Sequence, residues 1–295
     1  MRDRLCRAND AGRKTPSNRR MAMDKEAPPL GPGVYLVATP IGNMEDITLR
    51  ALRVLASAEA LACEDTRVTR KLFQRHGLPA PKALFVANDH NERTVAKRLA
   101  GLAAEGKVVA FCSDAGMPGI SDPGFNIARA AREAGVAVEV VPGASAVVTA
   151  VALSGIPAAS FTFLGFPPRR DGRLADILRE HGALRPALVF YESPRRLARL
   201  LSLAAEHVCP DRQAAVCLEL TKKFERVSRG TLEELAARFA AMETRGEAVV
   251  VIEGAGKRSG RRDNDDGGGD DEEEEFAEPT GEADVGNSGE EDDLR

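Results

Sequence analysis

Short apolar runs alternate with helical stretches along most of this chain, and this alternation limits the folds that it can adopt. The runs Val34–Ala38 and Ala60–Cys63 are typical of buried strands, and Asp46–Ser57 between them has the apolar side of a helix. Strands alternating with helices form βαβ units, and strands that are apolar throughout belong to sheets covered on both faces. We therefore predict an α/β fold with a mostly parallel sheet.

A second alternating series follows the segment Ser154-Gly-Ile-Pro-Ala158, which resembles a boundary. We predict an N-terminal α/β domain at 33–155 and a second, mixed α/β domain at 156–256, with a cleft between them. The polar stretch 1–32 is predicted to be a disordered basic extension. The low-complexity stretch 257–295 is predicted to be a disordered acidic tail, because it has too little apolar surface to form a core.

The formal net charge of −4 hides an uneven distribution. From Asp263 onward the chain has 16 acidic residues and one arginine, which leaves 29 acidic and 40 basic residues before that point. A basic body favours a polyanionic partner such as nucleic acid. The acidic tail could fold back on that body as a mimic of RNA.

Neither a membrane span nor a disulfide framework is expected. No run approaches the roughly 18 apolar residues of a spanning helix, and the N-terminus has no apolar signal region. We expect a soluble, cytoplasmic protein. The five cysteines form no CxxC pair, so we interpret them as small apolar residues rather than as metal ligands.

One predicted strand is followed by a loop that is rich in glycine and contains two aspartates. The apolar run Lys107–Cys112 is followed by Ser113-Asp-Ala-Gly-Met-Pro-Gly-Ile-Ser-Asp-Pro-Gly124. Glycine lets the backbone approach a ligand closely, and open α/β sheets bind their ligands at the carboxyl ends of strands. This loop is therefore a candidate ligand site, with an ordinary turn as the alternative.

Seven loop motifs occur in order along the body of the chain. They are Tyr35-Leu-Val-Ala-Thr-Pro-Ile-Gly-Asn43, Glu64-Asp-Thr-Arg67, Asn88-Asp-His-Asn-Glu92, Ser113-Asp-Ala-Gly116 with Ile120-Ser-Asp-Pro-Gly124, Pro142-Gly143, Glu192-Ser-Pro-Arg-Arg196 and Glu219-Leu-Thr-Lys222. This ordered set resembles the tetrapyrrole methylase superfamily and, within it, the ribosomal RNA small subunit methyltransferases I, over about residues 33–256.

The resemblance implies a two-domain methyltransferase, usually a homodimer, that binds S-adenosylmethionine in the interdomain cleft. The implied reaction is 2′-O-methylation of a cytidine ribose in the decoding region of 16S ribosomal RNA, within the 30S subunit. The implied cofactor contacts are Ile41, Gly42, Asp114, Gly116, Met117, Ser121, Asp122, Ser145, Ala146, Tyr191, Leu218, Gly246, Glu247 and Ala248.

Loops expected to face the cleft carry the candidate bases Glu64, Asp65, His90, Glu192, Glu219 and Lys222. Our hypothesis is that Glu64, Asp65 or Lys222 acts near the ribose hydroxyl. Structural alternatives stay open, since Asp65 could pair with Arg67 or cap the next helix. Lys222 could contact a phosphate instead. Asp89-His90 with Glu92 has no third spaced ligand, so we expect a hydrogen-bonded turn and no metal.

Arginines in these loops are the predicted contacts to RNA phosphates, with ordinary solvated surface as the alternative. They are Arg67, Arg70, Arg169, Arg170, Arg195 and Arg196. Two other functions compete with RNA methylation. One is C-methylation of a tetrapyrrole or corrin precursor, and the other is a catalytically silent module that binds the ribosome.

Overall fold

A parallel sheet forms the first half of the computed structural model, which describes residues 28–88 and 90–256. Its strands are β1 (Gly33–Val37), β2 (Ala60–Cys63), β3 (Ala83–Val86), β4 (Val108–Cys112) and β5 (Val138–Val141). Its helices are α1 (Leu49–Ser57), α2 (Thr66–His76), α3 (Glu92–Ala104) and α4 (Phe125–Glu133). The strand order is β3-β2-β4-β1-β5 and each neighbouring pair is parallel, as predicted.

Helices cover this sheet on both faces, which explains why its strands are apolar throughout. Successive side chains of β1 point to opposite sides. Tyr35 packs in one buried cluster with Leu55 of α1, whereas Val34 packs in another with Leu99 of α3 and Ile127 of α4. Each face therefore has its own core, and the polar loops are left at the ends of the strands.

The second half contains a mixed sheet. Its elements are α5 (Ala146–Ser154), β6 (Phe161–Phe163), α6 (Asp171–Gly182), β7 (Ala187–Glu192), α7 (Leu197–His207), β8 (Gln213–Leu218), β9 (Arg226–Thr231), α8 (Leu232–Ala240) and β10 (Ala248–Ile252). The order is β6-β7-β10-β8-β9, with β6 parallel to β7 and the other pairs antiparallel. The predicted mixed second sheet is confirmed.

Helix α5 links the two halves, because it follows the last strand of the first sheet and packs on the second. Val147 and Ala150 of α5 share a buried cluster with Val189, Cys217 and Val249. Helices α6, α7 and α8 cover the opposite face of that sheet. By their contacts the described residues belong to one compact unit, and the domain boundary at 155/156 stays a prediction.

Both predicted disordered ends lie outside the described residues, apart from positions 28–32. Within the described ranges, every helix is too short or too polar to cross a bilayer. Cys63, Cys112 and Cys217 are buried there as free thiols, and Cys209 is free and partly buried.

Candidate functional site

The largest group of candidate residues surrounds one cavity of about 530 Å³ where the two sheets meet. The first sheet contributes the carboxyl ends of its strands, and the second contributes the end of β7 and the start of β10. Because β10 runs antiparallel to β7, Ala248 lies beside Glu192 and both belong to the same edge. The lining residues are Ile41, Glu64, Asp114, Ala115, Gly116, Met117, Ile120, Ser121, Asp122, Ser145, Ala146, Phe166, Tyr191, Glu192, Ser193, Gly246, Glu247, Ala248 and Val249.

The glycine-rich loop after β4 is held by the segment after β1. Thr39 and Gly116 exchange two backbone hydrogen bonds of 3.0 Å, and the Thr39 hydroxyl donates to the Ser113 carbonyl. Gly116 has a φ of +85°, and a Cβ there would lie 3.2 Å from Cγ2 of Ile41. The backbone conformation therefore favours glycine, and a side chain would also press on Ile41. The loop presents Asp114 to the cavity.

Glu92 holds the other end of this loop, from the start of α3. Its buried carboxylate accepts hydrogen bonds from the backbone N–H groups of Gly124 and Asn126, at 2.8 and 3.1 Å, and from Nδ2 of Asn126 at 2.6 Å. The first turn of α4 is therefore capped by a side chain of α3. Nearby, the His90 N–H donates to Oδ1 of Asn88 within a turn, and Asp89 lies outside the described residues.

Replacing Glu92 with alanine should lower the free energy of unfolding by about 2–4 kcal/mol, because two backbone donors would lose a charged acceptor. Chemical denaturation followed by circular dichroism would measure the loss. The control is Glu105→Ala, at the exposed end of α3, where the carboxylate pairs with Lys107 on the surface. Equal losses in the two variants would contradict the capping role.

Two carboxylates at neighbouring strand ends each accept a hydrogen bond from the backbone of the other's loop. Oε1 of Glu64 accepts from the Asp114 N–H at 3.0 Å, while Oδ1 of Asp114 accepts from the Asp65 N–H at 3.0 Å. Burial raises the pKa of Asp114. This reciprocal pair fixes the loop after β2 against the loop after β4, and both carboxylates line the cavity.

Asp65 is not among the residues that line the cavity, and it shows both of the structural roles that the sequence left open. Its carboxylate forms a two-oxygen ion pair with Arg67 and accepts from the Arg67 N–H as the N-cap of α2. The hydrogen bond from the Arg67 side chain lowers the pKa of Asp65 to about 2. A carboxylate held in this way is a poor proton acceptor at neutral pH.

Lys222 is bound by two carboxylates beside the cavity. Its Nζ lies 3.1 Å from Oε1 of Glu219 and 2.9 Å from Oε2 of Glu247. Burial lowers the pKa of Lys222, but its hydrogen bonds to Glu247 and Glu219 outweigh burial and raise the pKa overall. The side chain is therefore a protonated clamp, and it holds the Glu247 that lines the cavity.

Glu192 is the most buried carboxylate of the cavity wall. Its side chain is fully inaccessible, and Oε1 accepts from the Ser193 N–H at 2.7 Å. Oε2 lies 3.2 Å from Nη2 of Arg196, yet it accepts no well-aligned hydrogen bond from the described residues. Burial raises the pKa of Glu192 despite that arginine. A buried acceptor with an unused oxygen is costly unless a ligand completes it.

Aromatic side chains form the wall beside Glu192. The ring of Tyr191 packs edge-on against Phe163 at 4.8 Å and tilted against Phe166 at 5.4 Å. Phe166 is 61% exposed, which is unusual for a large apolar side chain. Phe166 lies in the loop after β6. In the sequence, only the glycine and two prolines of this loop mark it as a turn, and nothing marks Phe166 as part of a site.

All but two of the residues predicted to contact the cofactor line this cavity. Leu218 instead lies in the core under α6, α7 and α8. Gly42 packs against the loop after β8, where a Cβ would come within 2.5 Å of Cγ of Lys222 and 2.8 Å of the Leu220 carbonyl oxygen. Sequence reasoning missed Ala115, Ile120, Phe166, Ser193 and Val249.

The six arginines predicted to contact RNA lie outside the cavity lining. Arg70, Arg169, Arg170 and Arg195 are exposed. Arg67 is also exposed but pairs with Asp65, while Arg196 is half-buried, pairs with Glu192 and donates to the Pro167 carbonyl. In the described ranges, no three His, Cys, Asp or Glu side chains are arranged to hold a metal ion.

Comparison with known proteins adds four similarities. The family model for tetrapyrrole (corrin/porphyrin) methylases matches residues 33–236. The ribosomal RNA small subunit methyltransferase I of Halalkalibacterium halodurans is 43% identical over 76% of this chain and 77% of its own length. The ribosomal RNA small subunit methyltransferase I of Mesorhizobium japonicum is 44% identical over 77% of this chain and 76% of its own length. The solved uroporphyrin-III-C-methyltransferase of Thermus thermophilus is 29% identical, with a TM-score of 0.51 over 75% of this chain and 93% of its own.

Proposed function

Because the chain belongs to the tetrapyrrole methylase family and, within it, to the ribosomal RNA small subunit methyltransferases I, we propose that it methylates the 2′-hydroxyl of a cytidine in 16S ribosomal RNA. S-adenosylmethionine is the methyl donor. The observation that carries the proposal is the cavity of acidic and apolar residues at the strand ends, most of which lie inside the matched range 33–236. Relatives of this similarity bear the name of a ribosomal RNA methyltransferase.

The residues of the cavity fit S-adenosylmethionine. Its volume lies within the roughly 300–1,000 Å³ of small-molecule sites. The carboxylates of Asp114 and Asp122 suit the ammonium and hydroxyl groups of the ligand, while Ile41, Met117 and Val249 supply apolar surface for the adenine. When bound, the cofactor supplies a methyl group made electrophilic by the sulfonium.

The chain's own contribution is mainly orientation. Alignment of reacting groups can supply about 7–11 kcal/mol, whereas a general base adds about 10²–10⁴-fold. The hydrogen bonds that join Glu64 and Asp65 to Asp114, together with the Glu92 cap, hold the loop after β4 in place. The aromatic side chains of Tyr191 and Phe166 give the cavity an apolar wall.

Among the candidate bases, the geometry favours Glu192, with Glu64 as the alternative. Both line the cavity, whereas Asp65 and Lys222 are engaged in the ion pairs described above. Oε2 of Glu192 has no accessible surface in this structure, so it would take the proton of the 2′-hydroxyl only once the bound substrate opens the wall around it. Its raised pKa makes it a stronger proton acceptor than an exposed glutamate.

The polyanionic substrate is consistent with the basic body and with the exposed arginines around the cavity. We propose that the substrate is the RNA within the 30S subunit, and that the enzyme works in the cytoplasm as a homodimer. A shallow groove along α5, lined by Val148, Ala152 and Glu225, supports association of two copies. Val148 is 57% exposed there.

Methyl transfer from labelled S-adenosylmethionine tests this function. We expect label on a ribose of 30S subunits that lack the modification, with free 16S RNA and a uroporphyrinogen-type tetrapyrrole as parallel substrates. Label on the tetrapyrrole alone would replace this function with C-methylation, for which the solved uroporphyrin-III-C-methyltransferase is the precedent. Cofactor binding without transfer to any substrate would favour a silent ribosome-binding module.

A further inference from the structure

A second cavity of about 530 Å³ lies next to the candidate site. Two chain segments run from one cavity into the other. Ser193 lines the first cavity and Arg195, two residues later, lines the second. Gly246 lines the first, and its neighbour Arg245 lines the second. An RNA chain with one nucleotide at the first cavity would therefore place a neighbouring nucleotide at the second cavity.

A buried threonine ties these two segments together. The hydroxyl of Thr244 donates to the Pro194 carbonyl at 3.0 Å, and Thr244 is 7% exposed. Arg195 is the residue after Pro194, and Arg245 is the residue after Thr244. They are far apart in sequence, yet the hydrogen bond makes them neighbours on the wall of the second cavity.

The positive charge of this pair is not neutralised within the described part of the chain. Arg195 and Arg245 are exposed and form no ion pair there. By contrast, Arg196 and Arg199 on the same stretch pair with Glu192 and Asp171. The two unpaired guanidinium groups face a wall with a single carboxylate, Glu243.

Guanidinium groups bind the oxygens of a phosphate with paired N–H donors, and both arginines line this cavity. Met242, 40% exposed on the same wall, offers apolar surface for a ribose or a base. We propose that the second cavity binds the phosphodiester of a nucleotide next to the methylated one, with Arg195 and Arg245 as its anchors. This inference rests on the proposed function and names the contact that positions its substrate.

The test compares the double variant Arg195→Ala/Arg245→Ala with wild type in binding a short single-stranded RNA over a salt series. Each lost phosphate contact should lower the slope of log affinity against log salt by about 0.7. We therefore expect a slope lower by about 1.4 and an RNA affinity weaker by about ten-fold. The KM for 30S subunits should rise similarly, while the kcat and the Kd for S-adenosylmethionine stay at wild-type values.

The matched control is Arg129→Ala/Arg179→Ala, which removes the same charge from exposed arginines paired on their own helices. If the control lowers the salt slope and raises the KM as much as the test variant does, the two arginines contribute only general charge. In that case the proposed site is overturned. An unchanged salt slope in the test variant also overturns it. Wild-type protein that labels no RNA would instead overturn the proposed function itself.

Discussion

Replacing Glu192 with glutamine should lower the kcat for RNA methylation by about 10²–10⁴-fold, the usual contribution of a general base. Glutamine keeps the shape of the side chain and can still accept from the Ser193 N–H. It cannot take a proton from a ribose hydroxyl. The Kd for S-adenosylmethionine should stay near that of wild type, so single-turnover label transfer at saturating cofactor and RNA is the measurement.

The pH dependence gives this variant a second readout. Burial raises the pKa of Glu192, and the charged groups that face it are Arg196 and Arg199. The wild-type kcat should therefore rise as the pH rises through that pKa, because only the ionised carboxylate accepts a proton. In the glutamine variant this acidic limb should disappear.

Stability should change in the opposite direction from activity. With a raised pKa, the folded state binds more protons than the unfolded chain between the ordinary and the raised value. The stability contributed by Glu192 is thus fully present below the ordinary glutamate pKa and is lost as the pH rises through the raised one. Above neutral pH, Glu192→Gln should melt no lower than wild type.

The control for this variant is Glu64→Gln, which alters the other carboxylate that lines the cavity. A wild-type kcat and pH profile in Glu192→Gln would exclude Glu192 as the base. If Glu64→Gln then lost the acidic limb, the proton acceptor would be Glu64.

Replacing Asp114 with asparagine should weaken the binding of S-adenosylmethionine by about 10- to 100-fold, because a half-buried charged acceptor is lost. The amide oxygen can still accept from the Asp65 N–H, so the loop should stay in place. Burial raises the pKa of Asp114. Wild-type affinity for the cationic cofactor should therefore fall as the pH drops through that pKa, and the variant should lack this dependence.

Isothermal titration with S-adenosylmethionine at several pH values would measure both effects. Asp176→Asn is the control, since Asp176 is an exposed carboxylate of α6 paired with Arg179. If Asp114→Asn bound the cofactor as wild type does at every pH, Asp114 would only brace the loop, and its carboxylate would have no contact with the ligand.

The sequence was sufficient for the fold class, because its apolar runs are short, regularly spaced and bounded by turn residues. For α2 the residue pattern predicts a helix over Thr69–His76, whereas the helix begins at Thr66. The reason is Asp65, whose carboxylate caps the helix earlier than the apolar period indicates. Periodicity locates the middle of an element better than its ends.

The site was predictable where a motif lies on one loop, as with Asp114 and Gly116. It was not predictable where distant segments meet. Leu218 faces a core rather than the cavity, because the alternation of β8 places its side chain on the helix-covered face. The pairing of Arg195 with Arg245 depends on one hydrogen bond between segments that share no sequence signal.

The contact between Gly42 and the loop at 220–222 has a consequence for how such a protein can change. Any side chain larger than hydrogen at position 42 would meet Lys222 and the Leu220 carbonyl, and the adjacent Asn43 N–H donates to the Thr221 hydroxyl at 3.0 Å. The halves of the chain are therefore fitted to each other at a point far from their covalent junction. Hybrids that join the halves of diverged relatives would inherit one side of this fit without the other, so the two loops must be inherited together.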